Sequence, residues 1–266
     1  MSVSRLLKAI ESKKRGTSYE DSFLEAYNES VLSMQEDRPI PTDRFRPSSL
    51  ADGCERMLWY QRKGIGAVGE KKDVALAEIC DNGTDRHERI QNTIKNIPGL
   101  EWLDVEEVVK EANSRGINTR FLSWDDKHTE AKCYSEDYNF NFLCDGIFRY
   151  KGKDIILEIK TIHQIGHNRL VEPMEKHIRQ ATCYAMAMGI DEILFFYEDR
   201  NFMKKKAYLY KVTDEDKDYI RSKISRILNY LEENRIPPKE PDKCLYCDRK
   251  TQCKKDGDKE FYDGEE

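Results

Sequence analysis

The sequence predicts an α/β fold: a mixed sheet with a helix crossing between two strand pairs. Three observations carry this. Apolar residues recur with helical spacing early in the chain, with Phe23, Leu24, Tyr27, Val31 and Leu32 in one segment and a longer segment over 74–95. The period then changes, because 102–109, 140–150 and 155–162 alternate or run apolar as strands do. A helical segment over 168–188 separates that group from two more strands, over 193–197 and 206–212.

Each element has its own local signals. Residues 3–36 read as two helices, the first carrying Leu6, Leu7 and Ile10. Pro39, Pro41 and Pro47 mark an irregular linker. Ser48-Ser49 caps a helix over 50–63, which Gly64, Gly66 and Gly69 end. Pro98-Gly99 stops the helix over 74–95. Lys151-Gly152-Lys153-Asp154 is a turn, so the strands on either side form a hairpin. Gly189 ends the helix over 168–188. Thr213 caps a last helix running to about Asn234, and Pro237, Pro238 and Pro241 end regular structure. The tail from Lys254 is polar.

Composition narrows the function. A chain of 266 residues is one large domain or two small ones. Charged residues make up 36%, above the usual ~25%, and apolar residues 38%. No apolar run approaches the roughly 20 residues a membrane span needs. Met1–Lys14 lacks the apolar stretch of a signal peptide, so a membrane partner is not expected. A net charge of −5 argues against coating nucleic acid by bulk charge, but leaves a local groove open. No G-x-x-x-x-G-K-[ST] loop is present, so any ATP-driven unwinding would come from a separate chain.

The chemistry concentrates in the hairpin. Asp145-Gly146 lies on one strand, and Glu158-Ile159-Lys160 lies on the next. Residues two apart on a strand share a face, so Glu158 and Lys160 project together while Leu157 and Ile159 face away. A carboxylate and an ammonium inside an apolar strand are expensive unless they are paired or bind metal. Two carboxylates and a lysine at one spot suit a hard divalent cation such as Mg²⁺. The alternative is a buried carboxylate–lysine pair without a metal.

With these residues in view, the sequence resembles the PD-(D/E)xK nuclease superfamily in its RecB-like exonuclease branch, over roughly residues 48–253. Gly83-Thr84-Asp85-Arg86-His87 matches the helical G-x-x-x-H element, and Asp145-Gly146 the D-G. Glu158-Ile159-Lys160 matches the E-x-K, and Gln180-Ala181-Thr182-Cys183-Tyr184 the Q-x-x-x-Y on the following helix. Cys144 stands where the superfamily name has proline. The resemblance implies a restriction-endonuclease-like core: a central mixed β-sheet flanked by helices, with an N-terminal helical extension and a C-terminal cysteine segment. It implies that His87, Asp145, Glu158 and the Ile159 carbonyl hold Mg²⁺ or Mn²⁺, and that Lys160 positions the attacking water. Gln180 and Tyr184 share a helix face and would contact the DNA backbone or support the lysine.

The cysteines divide into two sets. Cys80, Cys133, Cys144 and Cys183 sit singly and read as small buried hydrophobes. Cys244, Cys247 and Cys253 form C-x2-C-x5-C, which needs a fourth ligand. Cys54 lies in Ser48-Ser49-Leu50-Ala51-Asp52-Gly53-Cys54-Glu55-Arg56-Met57-Leu58-Trp59-Tyr60. That segment looks like the corresponding element of RecB-like nucleases with an iron–sulfur staple, of the AddB type and the small CRISPR-associated exonucleases. Four thiolates suit [4Fe-4S] or Zn²⁺, and the resemblance favours iron. Cys54, Cys244, Cys247 and Cys253 would then staple the two ends of the domain.

Three regions follow: a helical extension and linker over 1–47, a nuclease domain over 48–253 and a tail over 254–266. The expected function is a metal-dependent DNA exonuclease acting on single strands or DNA ends, with a helicase or recombination protein as a further partner. The expected setting is the cytoplasm of a bacterial or phage-infected cell. The competing reading is a catalytically silent end-binding or structural subunit. Trp59, Tyr60 and Tyr184 are candidates to stack on bases, and Arg56, Lys176 and Arg179 to meet phosphates.

Overall fold

The computed structural model describes residues 18–34, 41–66, 73–240, 242 and 247–262. The chain divides into two units, Met1–Pro39 with Gly69–Thr84, and Ile40–Val68 with Asp85–Glu266. In the first, helix α1 (Tyr19–Ser33) forms as its apolar spacing predicts, with the Ser18 side chain accepting the Asp21 N–H at 3.1 Å. The helix expected around Leu6, Leu7 and Ile10 lies outside the described residues.

In the second unit, the helix expected over 50–63 is two: α2 (Pro47–Asp52) and α3 (Glu55–Lys63). Gly53-Cys54 is extended between them, and the Cys54 thiol accepts the Met57 N–H at 3.2 Å to cap α3. Helix α4 (Val74–Lys95) has the expected bounds and runs from the first unit into the second. The strand expected over 102–109 is also divided. Strand β1 (Leu100–Leu103) ends where the Asp104 carboxylate accepts the Glu106 N–H at 2.7 Å and starts helix α5 (Val105–Ser114).

Two sheets follow. Strands β2 (Thr119–Trp124), β3 (Ala131–Ser135) and β4 (Phe140–Cys144) form an antiparallel three-stranded sheet. Strands β5 (Ile147–Tyr150), β6 (Lys153–Ile162), β7 (Glu192–Asp199) and β8 (Lys205–Lys211) join β1 in a sheet of order β1-β5-β6-β7-β8. Only β6–β7 is parallel, so the larger sheet is mixed, as expected.

The expected strand over 140–150 therefore belongs to both sheets, and Asp145-Gly146 is the break between them. Gly146 has φ +151°, and a Cβ there would meet the Trp102 ring at 2.2 Å. A side chain is excluded at that point.

Helix α6 (Gln164–Arg169) and helix α7 (Glu175–Met188) replace the single helix expected over 168–188. Pro173 lies between them, and the residue before a proline is driven out of the helical region. Gly189 ends α7 in the left-handed conformation, and a Thr213–Asp216 capping box starts helix α8 (Asp214–Glu232). A further helix, α9 (Lys250–Asp256), spans the end of the cysteine segment and the start of the tail.

The core has two faces. Ile156, Ile193, Phe195 and Tyr197 pack with Ala181, Tyr184, Ala185 and Met188 of α7. Leu157, Ile159 and Phe148 pack with Ile90 and Ile94 of α4. Cys133, Cys144 and Cys183 are buried as expected, but Cys80 is exposed. Among the described residues, no helix is long and apolar enough to cross a membrane.

Candidate active site

Strand β6 builds the centre of the site by alternation. Leu157 and Ile159 enter the α4-side core, which turns Glu158 and Lys160 toward α7. Glu158 is 2% exposed, and its Oε1 lies 2.6 Å from Lys160 Nζ. Burial pushes the Glu158 carboxyl up to about 7. Burial alone would lower Lys160, but the carboxylates of Glu158 and Asp145 outweigh it and hold the ammonium above its ordinary value.

Asp145 comes to the same place from the break between β4 and β5. Its Oδ2 accepts the Ile159 N–H at 2.7 Å, which ties the D-G and E-x-K segments together. Burial alone would raise Asp145, but His87, Lys160 and the Ile159 N–H hold it below the usual carboxylate range. His87, on α4, places Nδ1 3.2 Å from Asp145 Oδ1 and 4.0 Å from Glu130 Oε1. Burial works to lower the imidazole, and the Asp145 carboxylate outweighs it, so His87 is held above its ordinary value.

Helix α4 is anchored on both sides of His87. Arg86 and Arg89 reach the fully buried Glu198 of β7, at 3.2 and 2.6 Å. One turn beyond His87, Gln91 donates Nε2 to the carbonyls of Thr129 and Asp145, each at 2.7 Å. The Asp125 carboxylate holds the approach to β3, accepting the Glu130 N–H at 2.8 Å and the Thr129 hydroxyl at 2.6 Å.

Helix α7 contributes a relay behind the lysine. Gln180 Oε1 accepts from Lys160 Nζ at 3.2 Å, and Gln180 Nε2 donates to the Tyr184 hydroxyl at 2.5 Å. Tyr184 stacks on Phe142, ring centroids 5.3 Å apart. At the start of α7, the Tyr197 hydroxyl accepts the Met174 N–H at 3.1 Å and lies 2.8 Å from His177 Nδ1. Burial, with Lys160 nearby, drives His177 down to about 3, so its imidazole is neutral where it meets the Tyr197 hydroxyl.

The structure thus brings His87, Asp145, Glu158, Ile159, Lys160, Gln180 and Tyr184 into one connected region. It adds Glu130, Gln91 and His177, which the sequence reading missed. Glu130 was detectable as the residue between an Asp-x-x-x-Thr turn and an alternating strand, had β3 been recognised. Gln91 and His177 had no signal beyond their places on helices.

The expectations for Trp59, Tyr60 and Arg56 are corrected, whereas that for Arg179 is not contradicted. Trp59 and Tyr60 are fully buried beside Ile236, so neither offers a face to a base. Arg56 is buried, donates Nε to the Tyr60 hydroxyl at 3.2 Å and lines a cavity of about 180 Å³ that Cys54, Cys247 and Cys253 also line. Arg179 pairs with Glu175 and lies over the Tyr219 ring.

The cavity draws together the two ends of the second unit. Burial pushes the Cys54 thiol up to about 11. Met57, Tyr60, Lys239, Glu240, Arg249, Lys250 and Lys254 also line the cavity. Cys244 lies outside the described residues.

No protein-family model matches the chain, and no curated protein matches it. Among solved structures, the chain is distantly similar to the following three. The crystal structure of SSO0001 is 15% identical, with TM-score 0.48 over 89% of this chain and 98% of that one. An alkaline exonuclease (LHK-Exo) from Laribacter hongkongensis is 15% identical, with TM-score 0.45 over 77% of this chain and 93% of that one. A phage-related exonuclease from Haemophilus somnus 129PT is 12% identical, with TM-score 0.32 over 71% of this chain and 94% of that one.

Proposed function

We propose that this chain is a metal-dependent DNA nuclease, acting as an exonuclease on single strands or ends. The observation that carries this is the convergence of Asp145, Glu158 and Lys160 at one buried point, with His87 on one side and Gln180–Tyr184 on the other. Such a set of oxygen donors and one imidazole fits a divalent cation. His87, Asp145, Glu158 and the Ile159 carbonyl are its proposed ligands. When bound, Mg²⁺ or Mn²⁺ would supply Lewis-acid polarisation of a phosphate and lower the pKa of water.

The chain's own residues do the rest. Lys160 orients the water and offsets charge gathering on the phosphoryl oxygens. Gln180 fixes the lysine through its amide oxygen, and Tyr184 fixes Gln180. Asp145, drawn to the Ile159 N–H, keeps the two catalytic segments in register.

We further propose that the cysteine cavity takes a second group. Cys54, Cys244, Cys247 and Cys253 are the proposed ligands of a [4Fe-4S] cluster with a structural role. The binding energy of such a cluster would be folding energy. Anaerobic purification followed by iron and zinc analysis tests this; stoichiometric zinc without iron replaces the cluster by Zn²⁺.

End-labelled single- and double-stranded DNA, incubated with the protein in Mg²⁺, Mn²⁺ or EDTA, tests the nuclease reading. Metal-dependent shortening from one end is the expected result. No cleavage by folded, cluster-loaded protein overturns it in favour of an end-binding or structural subunit.

A further inference from the structure

We propose that Glu130 is a ligand of the divalent cation beside His87 and Asp145, a residue that the E-x-K pattern does not contain. This rests on the reading of the site as a metal-dependent nuclease. Three observations outside that pattern lead to it.

The first is the end of the β3–β4 ladder. Glu130 directly precedes Ala131, and Asp145 directly follows Cys144, in the last pair of that ladder. Two carboxylates therefore close it side by side, and like charges so placed are destabilising unless something of opposite sign lies with them. The second is the compactness of the group. One ligand atom each from His87, Glu130 and Asp145 all lie within 4.8 Å of one another. The third is His87 itself. Its Nδ1 is buried, faces two carboxylates and meets hydrogen-bond geometry with neither. A buried ring nitrogen in that state needs a proton or a cation.

The support around Glu130 is fixed rather than loose. Asp125 holds its N–H at 2.8 Å, and Gln91 holds the preceding carbonyl of Thr129 and the carbonyl of Asp145 with the same amide nitrogen. One helix side chain thus sets the spacing of both carboxylate-bearing strands, one turn from the histidine. Ligands held by such outer hydrogen bonds are the usual construction of a metal centre. Lys160 pairs closely with Glu158, at 2.6 Å, whereas the His87 ring lies 4.0 Å from Glu130 and 3.2 Å from Asp145.

The test is Mn²⁺ binding to the full chain by calorimetry, wild type against Glu130→Gln. Glu130→Gln removes like-charge repulsion and keeps the side chain's size, so its melting temperature in EDTA should equal or exceed that of wild type. The expected result is at least tenfold weaker Mn²⁺ binding in the variant, with the Mn²⁺-induced rise in melting temperature reduced. Equal Mn²⁺ affinity in the two proteins overturns the role of Glu130, and DNA cleavage by both would leave the nuclease reading standing. Wild-type protein that neither binds Mn²⁺ nor cleaves DNA overturns both. If Glu130→Gln melts well below wild type in EDTA, Glu130 is structural and the proposal fails; Glu130→Asp, which keeps the charge but shortens the reach, should then show no selective loss of Mn²⁺ affinity.

Discussion

Gln91 Nε2 donates to the main-chain carbonyl of Asp145 at 2.7 Å, from one helical turn beyond His87. The bond joins the helix that carries the imidazole to the strand end that carries the carboxylate. The same nitrogen also holds Thr129. Gln91→Ala leaves two buried carbonyls without their donor, at about 1–3 kcal/mol for each unsatisfied group. Urea denaturation should show a loss of about 2–6 kcal/mol by that principle. Mn²⁺ affinity should fall with it, although Gln91 is no ligand.

The Lys160–Gln180–Tyr184 relay makes a graded prediction. Gln180→Ala removes the acceptor that orients Lys160, and should lower kcat more than Tyr184→Phe, which removes only the acceptor for Gln180. Tyr184→Phe should cost about 1 kcal/mol of stability, the net worth of one hydrogen bond. Steady-state cleavage rates on one substrate decide it. Equal losses would mean that the Tyr184 hydroxyl acts on the substrate directly.

His177 gives a pH signature. Its folded-state pKa is depressed to about 3, while the unfolded chain takes up the proton near its ordinary 6.5. The unfolded state therefore binds more protons between those values, and stability falls as the pH drops through that window. His177→Phe removes this term and should flatten the decline in melting temperature from pH 7 to pH 4. Glu158, raised to about 7, acts with the opposite sign in both proteins, so the difference between them isolates His177.

The cysteine cavity predicts a link between cluster and fold. Cys247→Ser should lower the melting temperature by several degrees, and oxidative loss of the cluster should do the same to wild type. Unchanged melting in both experiments would remove the proposed staple.

Much of the fold was legible because periodicity is local. The bounds of α4 and the strands β6, β7 and β8 follow from apolar spacing and turn residues alone. Errors fell where one polar residue redirects the chain. Asp104 turns an apparent strand into a helix by capping, and Gly53-Cys54 interrupts an apparent single helix. At Asp145-Gly146 an apparently continuous strand changes sheets, and Trp102 leaves no room there for a side chain at Gly146. The sheet of β2, β3 and β4 was read only at β4, and Glu130 was missed with it. Within the site, Glu158, Lys160 and Asp145 were legible as charges that an apolar strand could not carry alone. Gln91 and His177 were not, because their partners are distant backbone and side-chain groups that only the tertiary structure brings near.

The most direct test separates catalysis from binding at Lys160. Lys160→Ala keeps the His87, Asp145 and Glu158 donors and removes the ammonium proposed to orient the water. DNA cleavage should fall by about 100-fold or more, the usual effect of deleting one transition-state donor. Mn²⁺ binding and folded structure should persist. Cleavage by Lys160→Ala at the wild-type rate, with Mn²⁺ bound, would contradict the assignment of this centre as the nuclease active site.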